Sequence, residues 1–330
     1  MRRLYRLMML AVVVALVLVL LPSVALATKT LAPNQVGVKA YSYVQALIDA
    51  PRVAGTPGEV TAALKVSDWF TRAGYSPTMQ PFIYEGEEGN LSSQNVIAFR
   101  AAMKKPKAGI TPLVIIGAHY DAVDAGQGAD DNASGVGVML EVAERIARYN
   151  QEYDIAFVAF GAEEAGLLGS FYYESQMSPK DISRTIAMIN FDSLIVGDKL
   201  YIHAGSNGKT WARDQMLRLI RLRNLPIGIQ PGWCTYADED PAGFSAGFTP
   251  DWFSDYTAFN QAGIPIVAFE STNWEIGDND GWIQTEKYLS FWHTENDNLA
   301  IIEELLPGRP MVRLNAYTTL VFEFLKHLKP

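Results

Sequence analysis

P-L-V-I-I-G-A-H-Y-D, residues 112 to 121, runs from an unbroken apolar stretch straight into a histidine and an aspartate. Apolar or β-branched runs bounded by turn residues are strands buried on both faces, the kind found in parallel sheets. The pattern returns in D-I-A-F-V-A-F-G-A-E-E-A-G (154 to 166) and in T-I-A-M-I-N-F-D-S (185 to 193). In each case acidic or imidazole side chains stand at, or just beyond, the carboxyl end of the run.

Working outward, Asn95 to Ala101 and Ile264 to Phe269 are further strand candidates. Helical spacing of apolar residues predicts helices at Val38 to Ala50, Val60 to Ala73, Ala133 to Tyr149, Leu167 to Met177, Thr210 to Arg223, Ser254 to Ala262 and Leu306 to Leu328. P-R-V-A-G-T-P-G (51 to 58) reads as an ordered loop, K-K-P-K (104 to 107) as a solvated turn, and Gln230 to Asp251 as a long loop. Alternation of strand and helix predicts an α/β fold, a mixed, mainly parallel β-sheet flanked by helices on both faces. The ligand crevice of such a sheet lies beyond the carboxyl ends of its strands. His119, Glu163, Glu164 and Asp192 all fall on that rim.

The chain has 330 residues, 49% of them hydrophobic, enough for one large core. M-R-R-L-Y-R, an apolar run from Leu7 to Leu21 and A-L-A at 25 to 27 have the three parts of a secretory signal, with cleavage after Ala27. Residues 1–27 are therefore expected to be a signal peptide and 28–330 a single domain, exported to the periplasm or the exterior. A retained N-terminal anchor is the competing reading, because the run approaches the ~17 residues that can span a bilayer. Loss of Arg2, Arg3 and Arg6 takes the formal charge from -9 to -12. So acidic a protein is a poor partner for nucleic acid or anionic membranes, and no stable membrane association is expected after cleavage. Cys234 is the sole cysteine, which excludes an internal disulfide and any paired-cysteine zinc site.

G-A-D-D-N-A-S-G (128 to 135) and F-W-H-T-E-N-D (291 to 297) complete the polar set. Singly these motifs are weak: H-x-D is commonly structural, G-A-D-D-N-A-S-G reads equally as a helix cap, and E-E-A-G as an acidic helix start. Together, two histidines and three carboxylates form an N/O ligand set suited to zinc, with cobalt or manganese as substitutes. One bridging carboxylate leaves two further ligands for each of two ions. Glu163 and Glu164 adjoin, so one can bind metal while the other acts as general base.

These residues resemble the M28 family of zinc-dependent aminopeptidases, from the loop near Arg52 almost to the C-terminus. I-V-G-D-K-L-Y (195 to 201), S-T-N-W-E-I-G-D-N-D-G (271 to 281) and L-P-G-R (306 to 309) are most similar to the alkaline phosphatase isozyme conversion aminopeptidases, exported bacterial enzymes associated with removing basic N-terminal residues. The resemblance implies a zinc exopeptidase fold, phosphorylase/hydrolase-like, holding two Zn2+. By it, Asp131 bridges, Glu164 and His293 complete one metal, His119 and Asp192 complete the other, Glu163 is the catalytic base and Asp121 orients the histidine ligand. It also implies a cis peptide between Asp131 and Asn132. Tyr256 departs from the pattern, standing where many relatives carry His, and the paired cysteines of some relatives are missing.

The implied reaction is hydrolysis of the N-terminal residue from a peptide or protein N-terminus. Asp238-Glu239-Asp240 and the loop with Asp278 and Asp280 are candidates for attracting a basic first side chain, with a solvated acidic loop as the alternative. A glutaminyl cyclase-like enzyme with one zinc, or a non-catalytic peptidase-like binding domain, are the other readings; retention of all five ligands and the base argues against both. His203 and His327 read as structural. Oligomeric state is not legible.

Overall fold

A computed structural model describes residues 35–86, 89–104, 109–231 and 254–329. Segment 1–27, Cys234, Asp238-Glu239-Asp240, and most of the K-K-P-K turn and of the long loop after Gln230 lie outside the described residues.

Two helices lead, α1 (Val38–Leu47) and α2 (Pro57–Arg72). α2 begins three residues before the periodicity predicts, at a proline in its first turn, where a missing N–H costs nothing, and Thr56 caps it by accepting the Glu59 N–H at 3.4 Å. Then follow β1 (Thr78–Gly86), β2 (Gly89–Arg100), β3 (Leu113–His119), a kinked helical turn (Ala129–Ser134), α3 (Gly135–Ile146), β4 (Asp154–Phe160), α4 (Leu168–Ser175), α5 (Pro179–Arg184) and β5 (Thr185–Phe191). β6 (Lys199–His203), α6 (Trp211–Arg223), β7 (Ile227–Ile229), α7 (Tyr256–Gln261), β8 (Ile266–Thr272), α8 (Leu299–Leu305) and α9 (Arg309–His327) complete the described elements.

The strands form one eight-stranded sheet in the order β1-β2-β4-β3-β5-β8-β6-β7. β4, β3, β5 and β8 run parallel to their neighbours in that central block, while β1 and β2, β2 and β4, and β6 and β8 pair antiparallel. The sheet is mixed and mostly parallel, as the alternation of elements predicts. β1 was not legible, because T-M-Q-P-F-I-Y-E-G carries Pro81 and alternates poorly; it is an edge strand, where a missing ladder N–H is tolerated.

Side chains of the central strands alternate between two cores. Val114, Ile116, Ile155, Phe157, Ala187, Ile189 and Val267 pack on one face with α1, α2, α3, α6 and α9. Ile115, Ala156, Val158, Met188 and Ile266 pack on the other with Phe259 of α7 and Phe171 of α4. Both faces are therefore covered, and the backbone ends of β3, β4, β5 and β8 share one rim.

Candidate metal centre

His119 is the last residue of β3, Asp192 follows β5 directly, and Glu163 and Glu164 follow β4 after a two-residue turn. Ala162, Ser193 and His293 all have left-handed backbones, at φ 52°, 48° and 55°. A non-glycine residue there costs of order 1–3 kcal/mol and persists only where surroundings fix it. Here the fixing groups are visible. Asp121 accepts the N–H groups of Glu163 and Glu164, both at 3.1 Å, and Glu59 accepts that of Ala162 at 3.0 Å. Ser254 Oγ donates to Asp192 Oδ2 at 2.6 Å, and Asn190 donates to Ser254.

Asp131 sits in the kinked turn, and its peptide bond to Asn132 is cis. The turn is entered through Gly128 at φ 59°, where a Cβ would lie 2.5 Å from the Asp131 carbonyl oxygen. Asp297 accepts the N–H groups of Asp130 and Asp131 at 2.7 and 3.0 Å. Asp130 in turn accepts from Ile195 N–H and from Gln284, whose own oxygen receives the N–H groups of Phe291 and Trp292. The loops carrying Asp131, Asp192 and His293 are thus tied to one another through buried side chains.

The result is a shared carboxylate. Asp131 Oδ1 lies 3.1 Å from His119 Nε2, and its Oδ2 lies 3.3 Å from His293 Nε2. Asp192 Oδ1 stands 3.5 Å from His119 Nε2, and Glu164 Oε2 stands 3.1 Å from His293 Nε2. Two trios, His119 with Asp131 and Asp192, and Asp131 with Glu164 and His293, have donor atoms within 4.8 Å of one another, as does a third, His119 with Glu163 and Glu164. All six residues named from the sequence meet in one place, with Asp121 3.6 Å behind His119 Nδ1.

Charge and hydrogen bonding both fit a cation here. Oε1 of Glu164 is buried without a hydrogen-bond partner, and both nitrogens of His119 are buried facing carboxylate oxygens. Burial alone would lower the pKa of His119, yet the Glu163 and Asp192 carboxylates raise it well above the usual histidine value. Hydrogen bonds to Asp131 and Glu164 push His293 up to about 10. Burial also lifts Glu164 to about 7, with the Asp131 charge adding. The site concentrates negative charge and holds protons where cations would satisfy the same oxygens and nitrogens.

A cavity of about 140 Å³ opens from these residues. Beyond the expected side chains its wall holds Asn190, His203, Gln230, Ser254, Tyr256, Glu270, Trp274, Trp282 and Trp292. Asp280 is in the wall and Asp278 is not. His203, read from the sequence as structural, is a wall residue whose Nδ1 accepts the Gly205 N–H; burial, with the Arg213 charge, holds its pKa down to about 3. Glu270 is a further wall residue, and its signal in the sequence is an acid inside the apolar run I-V-A-F-E-S-T.

Residues 95–309 match the model of peptidase family M28. The chain belongs to that family. Its M28 relatives include the alkaline phosphatase isozyme conversion protein of Escherichia coli (strain K12), 33% identical over 306 residues, 84% of this chain and 86% of that protein. Aminopeptidase YwaD of Bacillus subtilis (strain 168) is 33% identical over 242 residues, covering 73% of this chain but 46% of that one. Among solved structures, BSAP, a zinc aminopeptidase from Bacillus subtilis, aligns with TM-score 0.69 at 19% identity over 89% of this chain and 96% of that one. Porphyromonas gingivalis glutaminyl cyclase aligns with TM-score 0.63 at 22% identity over 89% and 99%. At these identities the structural likenesses speak for the fold.

Within this M28 chain the candidate site rests on a buried cation of the protein itself. Arg52, 2% exposed, donates to the carbonyls of Tyr120, Gln127 and Gly128, each at 2.6 Å, and so clamps the His119 segment to the Asp131 turn. Arg52→Met strands three acceptors, two of them buried, and should lower unfolding stability by about 3–5 kcal/mol. Urea denaturation of the two proteins measures it; a loss under about 1 kcal/mol would show that the clamp is dispensable.

Proposed function

We propose that this M28 peptidase is a dinuclear zinc aminopeptidase that removes the first residue from peptides or from N-termini of exported proteins. The observation that carries the reading is Asp131, with one oxygen beside each histidine. Asp131 with His119 and Asp192 would hold one ion, and Asp131 with Glu164 and His293 the other. The donor set suits zinc, with cobalt or manganese as substitutes. When bound, such ions act as Lewis acids that acidify water and polarise the scissile carbonyl.

Glu163 moves the proton. Burial raises its pKa well above the usual carboxylate value, against the pull of His119 and with help from the charges of Glu164, Asp192 and Asp255. A carboxylate so placed accepts a proton from water and returns it to the nitrogen of the departing amine. Asp121 holds Glu163 by its backbone N–H rather than by its side chain, so the carboxylate stays available. The free α-amine, held at the acidic end of the cavity, would fix the register of the chain and so restrict cleavage to the first peptide bond.

A basic first residue fits the wall best. Glu270 reaches the cavity, its Oε1 accepting from Trp274 Nε1 at 2.6 Å and from Gln230 Nε2 at 3.0 Å. Burial raises its pKa to about 7, with the Asp192 charge adding, so an entering ammonium or guanidinium would favour its ionised form. Export of the mature chain is part of the reading and rests on residues 1–27; a mature protein beginning at Thr28 is expected from N-terminal sequencing, and an intact Met1 in the exported fraction would leave the anchor instead.

Glu163→Gln should leave metal content nearly unchanged and lower turnover by at least ~100-fold. Parallel loss of zinc and activity would make Glu163 a ligand. Glu270→Gln should cut kcat/KM for an arginyl substrate by roughly 10-fold or more relative to a leucyl one; an unchanged arginine-to-leucine ratio removes Glu270 from substrate selection.

A further inference from the structure

Trp274 stands in the wall of the cavity at the metal centre, and the next residue, Glu275, stands in the wall of a different depression. This is a groove of about 910 Å³ between the edge of the sheet at β6 and β7 and the junction of α8 with α9. The two depressions share no lining residue. Leu200, Ile229, Leu305 and Val312 give the groove apolar walls. Ile229 and Val312 are 43% and 62% exposed, so part of that wall faces solvent rather than either core.

Charge in the groove is unevenly matched. Lys199 pairs with Glu275, and Arg309 donates through Nη1 to Asp198 Oδ1 at 3.1 Å, so each acid in the wall already has its cation. Arg313, one turn into α9, lines the same groove, is 6% exposed and has no ion-pair partner among the described residues. Its Nη1 donates to Ser271 Oγ at 3.1 Å, and its Nε is buried without an acceptor. Burial lowers its pKa to about 10, against the more distant pull of Asp130 and Asp198, so the side chain stays charged at neutral pH. A guanidinium taken out of water with no carboxylate to meet it is costly, and arginine is seldom buried this far unless paired. Packing does not call for it, because a methionine would fill much of the same space without the charge.

We infer that the groove binds a monocarboxylate with an apolar body, the carboxylate on the Arg313 guanidinium and the hydrocarbon along the apolar walls. With the other two cations already matched, a single positive charge remains to be met, which favours a monoanion over a phosphate dianion. The planar fork of a guanidinium also fits the two oxygens of a carboxylate. None of these residues belongs to the metal centre.

Isothermal titration calorimetry of the zinc-loaded protein with isocaproate tests the site, with isocaproamide and inorganic phosphate as the comparison ligands. Isocaproate should bind the wild type with Kd near or below about 1 mM, at least about 10-fold tighter than the amide or phosphate. Arg313→Met should weaken isocaproate at least about 10-fold while turnover of an aminoacyl substrate stays within about two-fold. Val312→Glu, a change at an exposed position that leaves Arg313 in place, should weaken it roughly 5-fold or more and decides the matter should the first variant not fold. Unchanged affinity in the variant so measured would put the carboxylate on the metal centre and overturn the site. Equal binding of the amide removes Arg313 from recognition, and phosphate as tight as isocaproate overturns the carboxylate assignment. Absence of any binding up to about 10 mM overturns the inference as a whole.

Discussion

Asp131 must present its two oxygens to two histidines that lie far apart in the sequence, His119 and His293, and the surrounding architecture serves that requirement. His119 arrives on a central strand buried on both faces, whereas His293 arrives on a loop without regular structure. The difference is made up by hydrogen bonds. Asp297 holds the backbone of Asp130 and Asp131, Gln284 joins Asp130 to the His293 segment, and Asn132 donates to the Phe191 carbonyl next to Asp192. Each of these partners lies in a segment that also bears a proposed ligand, so a shift in one loop displaces the others.

The same arrangement is electrostatically expensive. Asp121, Asp130, Asp131, Asp255 and Asp297 are all buried near Glu163 and Glu164. Burial pushes Asp130 up to about 7 and Asp255 to about 8, and raises Asp297 well above the usual range. Burial acts on Asp131 as well, but hydrogen bonds and charge from the two histidines outweigh it and hold its carboxyl below the usual range. Arg52 supplies fixed positive charge from one side. The remaining imbalance sits where the two trios converge, and divalent cations would offset it. Stability and the proposed catalysis therefore draw on the same charges.

Much of this was legible in the sequence because of where polarity interrupts hydrophobicity. Strands β3, β4 and β5 end in H-x-D, E-E and D-S, and the rule that parallel strands share a functional rim turns those endings into a site without any structural knowledge. The apolar run T-I-A-M-I-N-F coincides with β5, whereas β8 runs three residues past its apolar run, which ends at Phe269, because Glu270 interrupts the run while staying in the ladder with Tyr201 of β6. The edge strands β1 and β7 and the short helices α5 and α8 escaped, since each is too short or too exposed to carry a clear period. The cavity wall escaped for another reason. His203, Glu270, Trp274 and Trp282 are brought together by the antiparallel turn of β6 against β8 and by an irregular loop, and no local pattern encodes that proximity.

Membership in family M28 and the sharing of Asp131 leave the number of cations as the point on which the catalytic account turns. The most direct measurement is the zinc content of the purified, active protein, followed as apo-protein is titrated with zinc and assayed on an aminoacyl substrate. The account predicts two equivalents per chain, with full activity reached only at the second. Full activity at a single equivalent, as a glutaminyl cyclase-like enzyme would need, or a chain that binds no zinc at all, would contradict it.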